Sequence, residues 1–258
     1  MTENSLILQA RDITLTYSMR RGMFNRFNHQ ALKGISMDLY RGETVGILGR
    51  NGEGKSSLMR ILAGIINPTS GTVSCATDVS RILLSIGVGF MPNISGRENA
   101  LYSTMLQGVS YKKAKSMLTA INDFAELGEF FEQPISTYSA GMKARLGFAT
   151  AIMTDVDIMF VDEVLSVGDE NFKKKAEEAM LSKLNGNQTA VFVSHSAPQV
   201  RKICNRAIWI DEGKIRAEGD AIWVTNKYHL HMLELQKLEQ EKLANQEQQI
   251  NTQLSASE

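Results

Sequence analysis

Short apolar runs alternate along this chain with segments in which apolar residues recur every three or four positions. The runs Thr44–Leu48, Asp157–Val161 and Thr189–Val193 are typical of strands buried on both faces of a parallel sheet, and the last two end at polar residues. Apolar residues spaced for a helical stripe between Ser110 and Ala125, and again between Phe172 and Met180, predict amphipathic helices. The mixture predicts an α/β protein.

Two further patterns lie outside this core. Residues 6–15 and 35–39 alternate between apolar and polar positions, which predicts an antiparallel β piece beside the parallel sheet. The stretch 236–258 is rich in Gln and Glu without sustained heptads, so we expect a frayed helix there that runs into disorder. We therefore divide the chain into a domain at 1–227 and a helical Gln/Glu-rich tail at 228–258.

Composition narrows the class of partner. The chain has 258 residues, enough for one two-lobed domain or a domain with a tail, and its 28 Lys and Arg balance 28 Asp and Glu. No global basic field points to nucleic acid or to anionic lipid, so we expect no nucleic-acid partner.

No apolar run reaches the roughly 18 residues of a spanning helix, and the N-terminus lacks the layout of a secretory signal, so we expect a soluble or peripheral protein. Cys75 and Cys204 stand outside any CxxC spacing and are expected to be core residues in a reducing compartment.

The segment Gly49–Ser56 fits GxxxxGKS, the phosphate-binding loop, and it stands between the first apolar run and a helical pattern. Glycines let backbone N–H groups converge on anionic oxygens, and the helix that follows presents its positive end to the same charge. A chance match is expected about once in a hundred chains of this length. We expect Lys55 to reach the outer phosphates of ATP and Ser56 to bind Mg²⁺. The candidate ATP-contacting residues of this loop are Gly49, Arg50, Asn51, Gly52, Glu53, Gly54, Lys55, Ser56 and Ser57.

An acidic pair, Asp162 and Glu163, ends the apolar run that begins at Asp157. Asp162 could hold Mg²⁺ and Glu163 could accept a proton from the attacking water. A solvated acidic pair at a loop is the alternative, and the upstream phosphate loop favours the catalytic interpretation.

The segment Tyr138–Ala149, beginning Tyr-Ser-Ala-Gly-Met, resembles the signature sequence of ABC-type ATPases, and its Tyr-Ser-x-Gly-Met form resembles the branch that exports bacterial polysaccharides. Ser139 is a good helix N-cap and Gly141 permits close backbone approach. The resemblance covers about residues 5–225. It implies a P-loop NTPase fold with a RecA-like core, an antiparallel β subdomain and an α-helical subdomain at about 92–155.

The resemblance also implies roles for single residues. His195, after an apolar strand, would touch the γ-phosphate and the attacking water, and Tyr17 would stack on adenine. Ser139, Gly141 and Met142 would contact ATP held by a second subunit, while Ser166 and Asp169 would face that subunit. For each of these the alternative is structural: a histidine at a strand end, a core aromatic, a capped helix or a plain turn.

Two positions depart from the family pattern. Met91 stands where the family usually carries a Gln, which puts metal and water contacts through that side chain in doubt. Glu53 replaces a small residue in the phosphate loop, and we expect it to point to solvent. The insertion at 19–29 mixes cations with aromatics and could contact lipid headgroups, a membrane partner or the polymer, or could be a solvated loop.

The resemblance implies a homodimer that sandwiches two ATP molecules and drives a separate multi-spanning permease. The chain would then lie at the cytoplasmic face of the bacterial inner membrane as a peripheral subunit in polysaccharide export, with O-antigen, capsule and teichoic acid all compatible. Alternatives are an ABC ATPase of a small-solute transporter and a soluble ABC-type ATPase. A P-loop kinase is a third possibility, but it would leave the signature and His195 unexplained.

Overall fold

The computed structural model describes residues 5–20, 26–84, 89–162, 169–184, 188–194 and 196–255, with side chains except at 20, 26, 239 and 241–255. The strands are β1 Leu6–Arg20, β2 Arg26–Tyr40, β3 Thr44–Leu48, β4 Ser70–Cys75, β5 Arg81–Leu84, β6 Ile158–Asp162, β7 Thr189–Val193, β8 Arg206–Asp211 and β9 Lys214–Asp220. The helices are α1 Lys55–Leu62, α2 Gly96–Leu106, α3 Tyr111–Ala125, α4 Ala140–Met153, α5 Glu170–Leu184, α6 Ala197–Ile203 and α7 Ala221–Ser255. Short 3₁₀ turns span Gly128–Glu132 and Ile135–Thr137.

A six-stranded sheet forms the centre of the described fold, in the order β5-β6-β7-β3-β8-β9. Pairing is parallel from β5 through β8, and β9 joins antiparallel. Every residue of β3 and β7 is buried, as their continuous apolar sequences predict. The predicted bounds of both strands are confirmed, and β6 starts one residue later than its predicted run.

A three-stranded antiparallel sheet, in the order β2-β1-β4, lies beside this core. Strands β1 and β2 are fifteen residues long, well beyond the alternating segments seen in the sequence. The predicted antiparallel subdomain is thus confirmed, with a longer hairpin than expected. Part of the insertion at 19–29 lies outside the described residues, while Met19 and Phe27 within it are exposed.

Helices α2, α3 and α4 form the predicted helical lobe around an apolar core of their own, which includes Ile121, Phe131 and Leu146. The lobe meets the sheet core at three aromatic rings, Phe124, Phe148 and Phe172, whose centroids lie 5.9 to 6.2 Å apart. Because these rings belong to α3, α4 and α5, they fasten the helical lobe to the helix that follows the acidic strand.

Helix α7 runs continuously from Ala221 to Ser255, across the position at which the sequence predicted the tail to begin. Its first two turns bury Val224 and Tyr228, and Tyr228 packs edge-on against Trp209 of β8 with ring centroids 5.7 Å apart. The division at residue 227 stays a prediction. Among the helices that the structure describes, none combines the length and apolar character needed to cross a bilayer.

Candidate functional site

The loop between β3 and α1 wraps the start of the helix closely against neighbouring backbone. Gly54 precedes α1 with φ of 85°, and a Cβ atom there would lie 2.6 Å from the carbonyl oxygen of Ala31. A Cβ on Gly49 would lie 2.5 Å from the carbonyl oxygen of Ile210. Both positions therefore exclude any larger residue, because the backbone of β2 and of β8 occupies the space.

Lys55 opens α1 and is 6% exposed. Its Nζ donates to the carbonyl oxygens of Gly49 at 2.8 Å and of Arg50 at 2.6 Å. A buried ammonium needs such acceptors, and here the loop itself supplies them. The loop thus gathers a positive charge and the N-terminal amides of α1 at the end of the central strand.

A cleft of about 300 Å³ opens over this loop. Tyr17 lies at its side, with its hydroxyl 3.0 Å from Ser57 Oγ. The residues that line the cleft are Tyr17, His29, Ala31, Asn51, Gly52, Gly54, Lys55, Ser56, Ser57, Asp162 and Val193. Eight of the sequence-predicted residues are therefore brought together, while Gly49, Arg50 and Glu53 are absent from this lining. Glu53 is half-buried, and the expectation that its side chain points to solvent stays a prediction.

Sequence reasoning missed His29, Ala31 and Val193. His29 pairs with Tyr17 across the β1–β2 hairpin, so both side chains reach the same face and the same cleft. The alternation of the two strands would have indicated His29 only if the pairing register of β1 with β2 were known. The sequence does not reveal that register, because register shifts interrupt the pairing.

The cleft offers oxygen ligands of the kind that Mg²⁺ prefers. Ser56 supplies a hydroxyl and Asp162 a carboxylate, and both line the cleft beside Lys55. A site with one or two protein oxygens, completed by substrate phosphates and water, is typical of Mg²⁺ in nucleotide-binding proteins. The two residues therefore fit the ion that the sequence predicted.

A second concave surface, which we call the signature surface, lies at the start of α4 and has a volume of about 510 Å³. It is lined by Ser139, Ala140, Gly141, Met142, Ala144, Arg145 and Asp169. It shares no residue with the cleft over the phosphate loop. The predicted residues Ser139, Gly141, Met142 and Asp169 are thus brought together, apart from the other predicted residues.

Hydrogen bonds fix the ends of this surface. Ser139 Oγ accepts from the backbone N–H of Met142 at 3.1 Å and so caps α4. Asp169 Oδ1 accepts from the N–H of Phe172 at 2.9 Å, and this bond holds the pKa of Asp169 below its usual value. Glu163, Ser166 and His195 lie outside the described residues.

A buried lysine, held by a glycine loop between a central parallel strand and a helix, places the chain among the P-loop nucleoside-triphosphate-binding proteins. The chain belongs to the ABC transporter family, whose profile matches residues 32–166. This confirms the predicted fold class.

Relatives and solved structures agree with the family. The chain is 39% identical over 238 residues to the teichoic acids export ATP-binding protein TagH of Enterococcus faecalis, covering 88% of this chain and 53% of that protein. It is 43% identical over 198 residues to the O-antigen export system ATP-binding protein RfbB of Myxococcus xanthus, covering 77% and 45%. The chain thus spans about half the length of these relatives.

Among solved structures, a dimeric post-hydrolysis state of the ATP-binding cassette MJ0796 bound to ADP and Pi matches with a TM-score of 0.68 at 21% identity. The match covers 83% of this chain and 99% of that one. An ATP-binding subunit of an ABC transporter matches with a TM-score of 0.70 at 17% identity, covering 87% and 94%. At such identities the likeness shows the fold.

Proposed function

We propose that this chain binds and hydrolyses ATP to power export of a polysaccharide through a separate membrane-spanning permease. Support comes from the two relatives, which are named for teichoic acid and O-antigen export. The subunit would be peripheral, at the cytoplasmic face of a bacterial inner membrane. An ABC ATPase of a small-solute transporter or a soluble ABC-type ATPase is the alternative, and no observation in the structure favours either.

The main support for pairing of two chains is the presence of a glycine at position 141. Among the described residues, and leaving aside the backbone of α4 itself, a Cβ added to Gly141 would have only Ser139 Oγ within 4 Å, at 3.8 Å, so none of these residues requires a glycine there. Glycine in a helix is less stable than alanine by about 0.5 to 1 kcal/mol. A close approach by an external group would account for it, and the capped helix start offers amides suited to a phosphate. We infer that this group is the γ-phosphate of ATP bound to a second copy.

Within each paired site the residues have distinct tasks. Lys55 and the loop amides bind the outer phosphates, Tyr17 stacks on adenine, and Ser56 with Asp162 would hold Mg²⁺, which offsets phosphate charge when bound. Glu163 acts as the general base on the attacking water, and His195 contacts that water and the γ-phosphate. Ser139, Gly141, Met142 and Asp169 belong to the site on the other chain.

ATP favours the closed pair because it contacts both chains there and only one in the open state. The difference in affinity between the two states is the free energy available for work. Hydrolysis and product release remove the bridging ligand and reopen the pair. The helical lobe, about residues 92–155, is the expected docking surface for the permease.

Replacing Glu163 by Gln tests the catalytic assignment. The variant keeps its shape and ATP affinity, so we expect a stable ATP-bound dimer in size-exclusion chromatography. Loss of the base should lower turnover about 10²- to 10⁴-fold. Glu170→Gln is the matched control, because the Glu170 side chain is 94% exposed at the start of α5, and it should hydrolyse ATP like the wild type. Full turnover in Glu163→Gln would refute Glu163 as the base.

Copurification tests the transport assignment. A tagged chain expressed with its genomic neighbours should be recovered from detergent extracts with a multi-spanning membrane protein. Deleting that protein should abolish export of one surface polysaccharide. Normal export in a strain that lacks this chain would exclude the transport assignment. It would not bear on the assignment of ATPase activity.

A further inference from the structure

Two segments that are about forty residues apart in sequence are joined along their backbones. The first, the entry segment, is residues 91–99, which precede and begin α2. The second, the approach segment, is residues 130–139, which lead into α4. The bonds between them run from Gly96 N to Gln133 O (3.1 Å), from Ile135 N to Ile94 O (3.1 Å) and from Ser136 N to Pro92 O (2.9 Å). Ser136 stands three residues before Ser139, so the bonded region reaches almost to the signature surface.

Asn99 organises the entry segment from within. Its side chain is buried, with 2% exposure, and its Oδ1 accepts from the N–H of Met91 at 2.7 Å. Its Nδ2 lies 3.1, 3.2 and 2.9 Å from the carbonyl oxygens of Met91, Ile94 and Ser95. Both backbone groups of Met91 are therefore held by one amide. The position at which the family pattern carries a Gln is thus fixed through its backbone, whatever side chain it bears.

Gly96 and Tyr138 fit together across the two segments. Tyr138 is 5% exposed, and its hydroxyl donates to the carbonyl oxygen of Phe130 at 2.6 Å. Burial raises the pKa of Tyr138 to about 12, so the hydroxyl keeps its proton at physiological pH. A Cβ on Gly96 would lie 2.1 Å from that hydroxyl oxygen. A glycine in the first turn of α2 weakens the helix, and the position of the Tyr138 ring explains why it is there.

We propose that Gly96, Asn99 and Tyr138 are positioning residues, which make the entry and approach segments one rigid unit and so hold Ser139 at a fixed place relative to Met91. The inference rests on the proposed function, in which Ser139 contacts ATP on the other chain. A displacement of the entry segment is then passed directly to the signature surface. Tyr138 is the link, because its ring meets the entry segment and its carbonyl carbon is bonded to Ser139.

The test combines Gly96→Ala with Tyr138→Phe. Gly96→Ala pushes the hydroxyl of Tyr138 away and shifts Ser139, which should lower turnover about tenfold or more, since small displacements of a catalytic group have large effects on rate. ATP affinity, measured with a fluorescent analogue on the dilute single subunit, should change less than about twofold, because the phosphate loop is untouched. Adding Tyr138→Phe removes the 2.1 Å contact and leaves Cζ at 3.0 Å, so turnover should partly recover.

Arg97→Ala is the matched control. Arg97 and Glu132 join the same two segments by an ion pair whose side chains are 44% and 55% exposed. Exposed pairs contribute about 0 to 1 kcal/mol, so Arg97→Ala should turn over ATP within about twofold of the wild type. Asn99→Ala is a second test of the same inference, to be used if Gly96→Ala does not fold. It should also lower turnover about tenfold or more with ATP affinity retained.

Amide hydrogen exchange separates this inference from the proposed function. In Gly96→Ala the amides of Ile135 and Ser136, which bond to the entry segment, should exchange faster than in the wild type. If wild-type turnover did not depend on dimerisation, the proposed function would fail. The exchange rates would still measure the hydrogen bonds between the entry and approach segments. Unchanged exchange, an equal loss of ATP affinity and turnover, or no recovery in the double variant would overturn the inference.

Discussion

The phosphate loop and the signature surface both use glycine at the start of a helix, yet for different reasons. Gly54 has a positive φ, and a Cβ there would lie 2.6 Å from Ala31 O, so its own chain requires it. Among the described residues outside the α4 backbone, only Ser139 Oγ, at 3.8 Å, would lie within 4 Å of a Cβ on Gly141. Packing within the described chain therefore explains the glycine of the phosphate loop and does not explain the glycine of the signature surface.

The two regions also differ in how they are supported. The phosphate loop follows β3, which is buried between β7 and β8 in the central sheet. The signature surface lies at the start of α4 in the helical lobe and is held through the approach segment. Changes in the first region should therefore affect ATP affinity, and changes in the second should affect turnover with affinity retained.

Lys55→Met should have the largest effect on ATP affinity. It removes a charge-assisted contact to the outer phosphates, which is worth about 1.5 to 3 kcal/mol, or about 10- to 150-fold in Kd. Titration with a fluorescent ATP analogue measures it. Lys33→Met is the control, because Lys33 is an exposed lysine on β2 and should leave the Kd unchanged. Retained affinity in Lys55→Met would remove the phosphate loop from the site.

Gly141→Ala should separate the two regions most clearly. Its melting temperature should stay equal or rise, since alanine favours a helix by up to about 1 kcal/mol. Turnover of the pair should fall about tenfold or more, because the added methyl group blocks close approach of the second chain's ATP. Affinity of the single subunit should not change. A parallel loss of melting temperature and turnover would assign Gly141 a role within its own chain.

Tyr17→Ala should weaken ATP binding about 5- to 10-fold, in the lower part of the 1 to 3 kcal/mol found for stacking of a base on an aromatic ring. Tyr17→Phe keeps the ring and loses only the partly exposed bond to Ser57, so its Kd should stay within about threefold of the wild type. Titration with a fluorescent ATP analogue measures the Kd of both variants. Equal losses in both variants would indicate that the hydroxyl matters more than the ring.

Glu53→Ala should have the smallest effect. A carboxylate ~8 Å from a phosphate charge costs about 0.5 to 2 kcal/mol, and a side chain outside the cleft should stay near the lower value. ATP affinity should thus improve about twofold at low salt. The gain should shrink in high salt because the interaction is screened. No change at low salt would exclude a repulsive role.

Local pattern predicted those parts of the site that are contiguous in sequence. The glycine and lysine spacing from Gly49 to Ser56 predicts the phosphate loop, and the apolar run before it predicts β3, so both elements and their order could be predicted. His29 was not, because it reaches the cleft only through the register of a hairpin with bulges. The sequence predicted a helix for the Gln/Glu-rich tail, and the structure shows that this helix, α7, begins at Ala221 and buries Val224 and Tyr228 in its first two turns.

By itself the sequence determined the class of protein: a glycine loop with Lys55 binds phosphate through backbone groups whose positions follow from residue type and spacing. The tertiary structure alone decided which of its glycines are required by packing against neighbouring atoms of the same chain. Whether a Cβ fits at Gly54, Gly96 or Gly141 depends on atoms far away in sequence, and steric exclusion is a property of the packed fold.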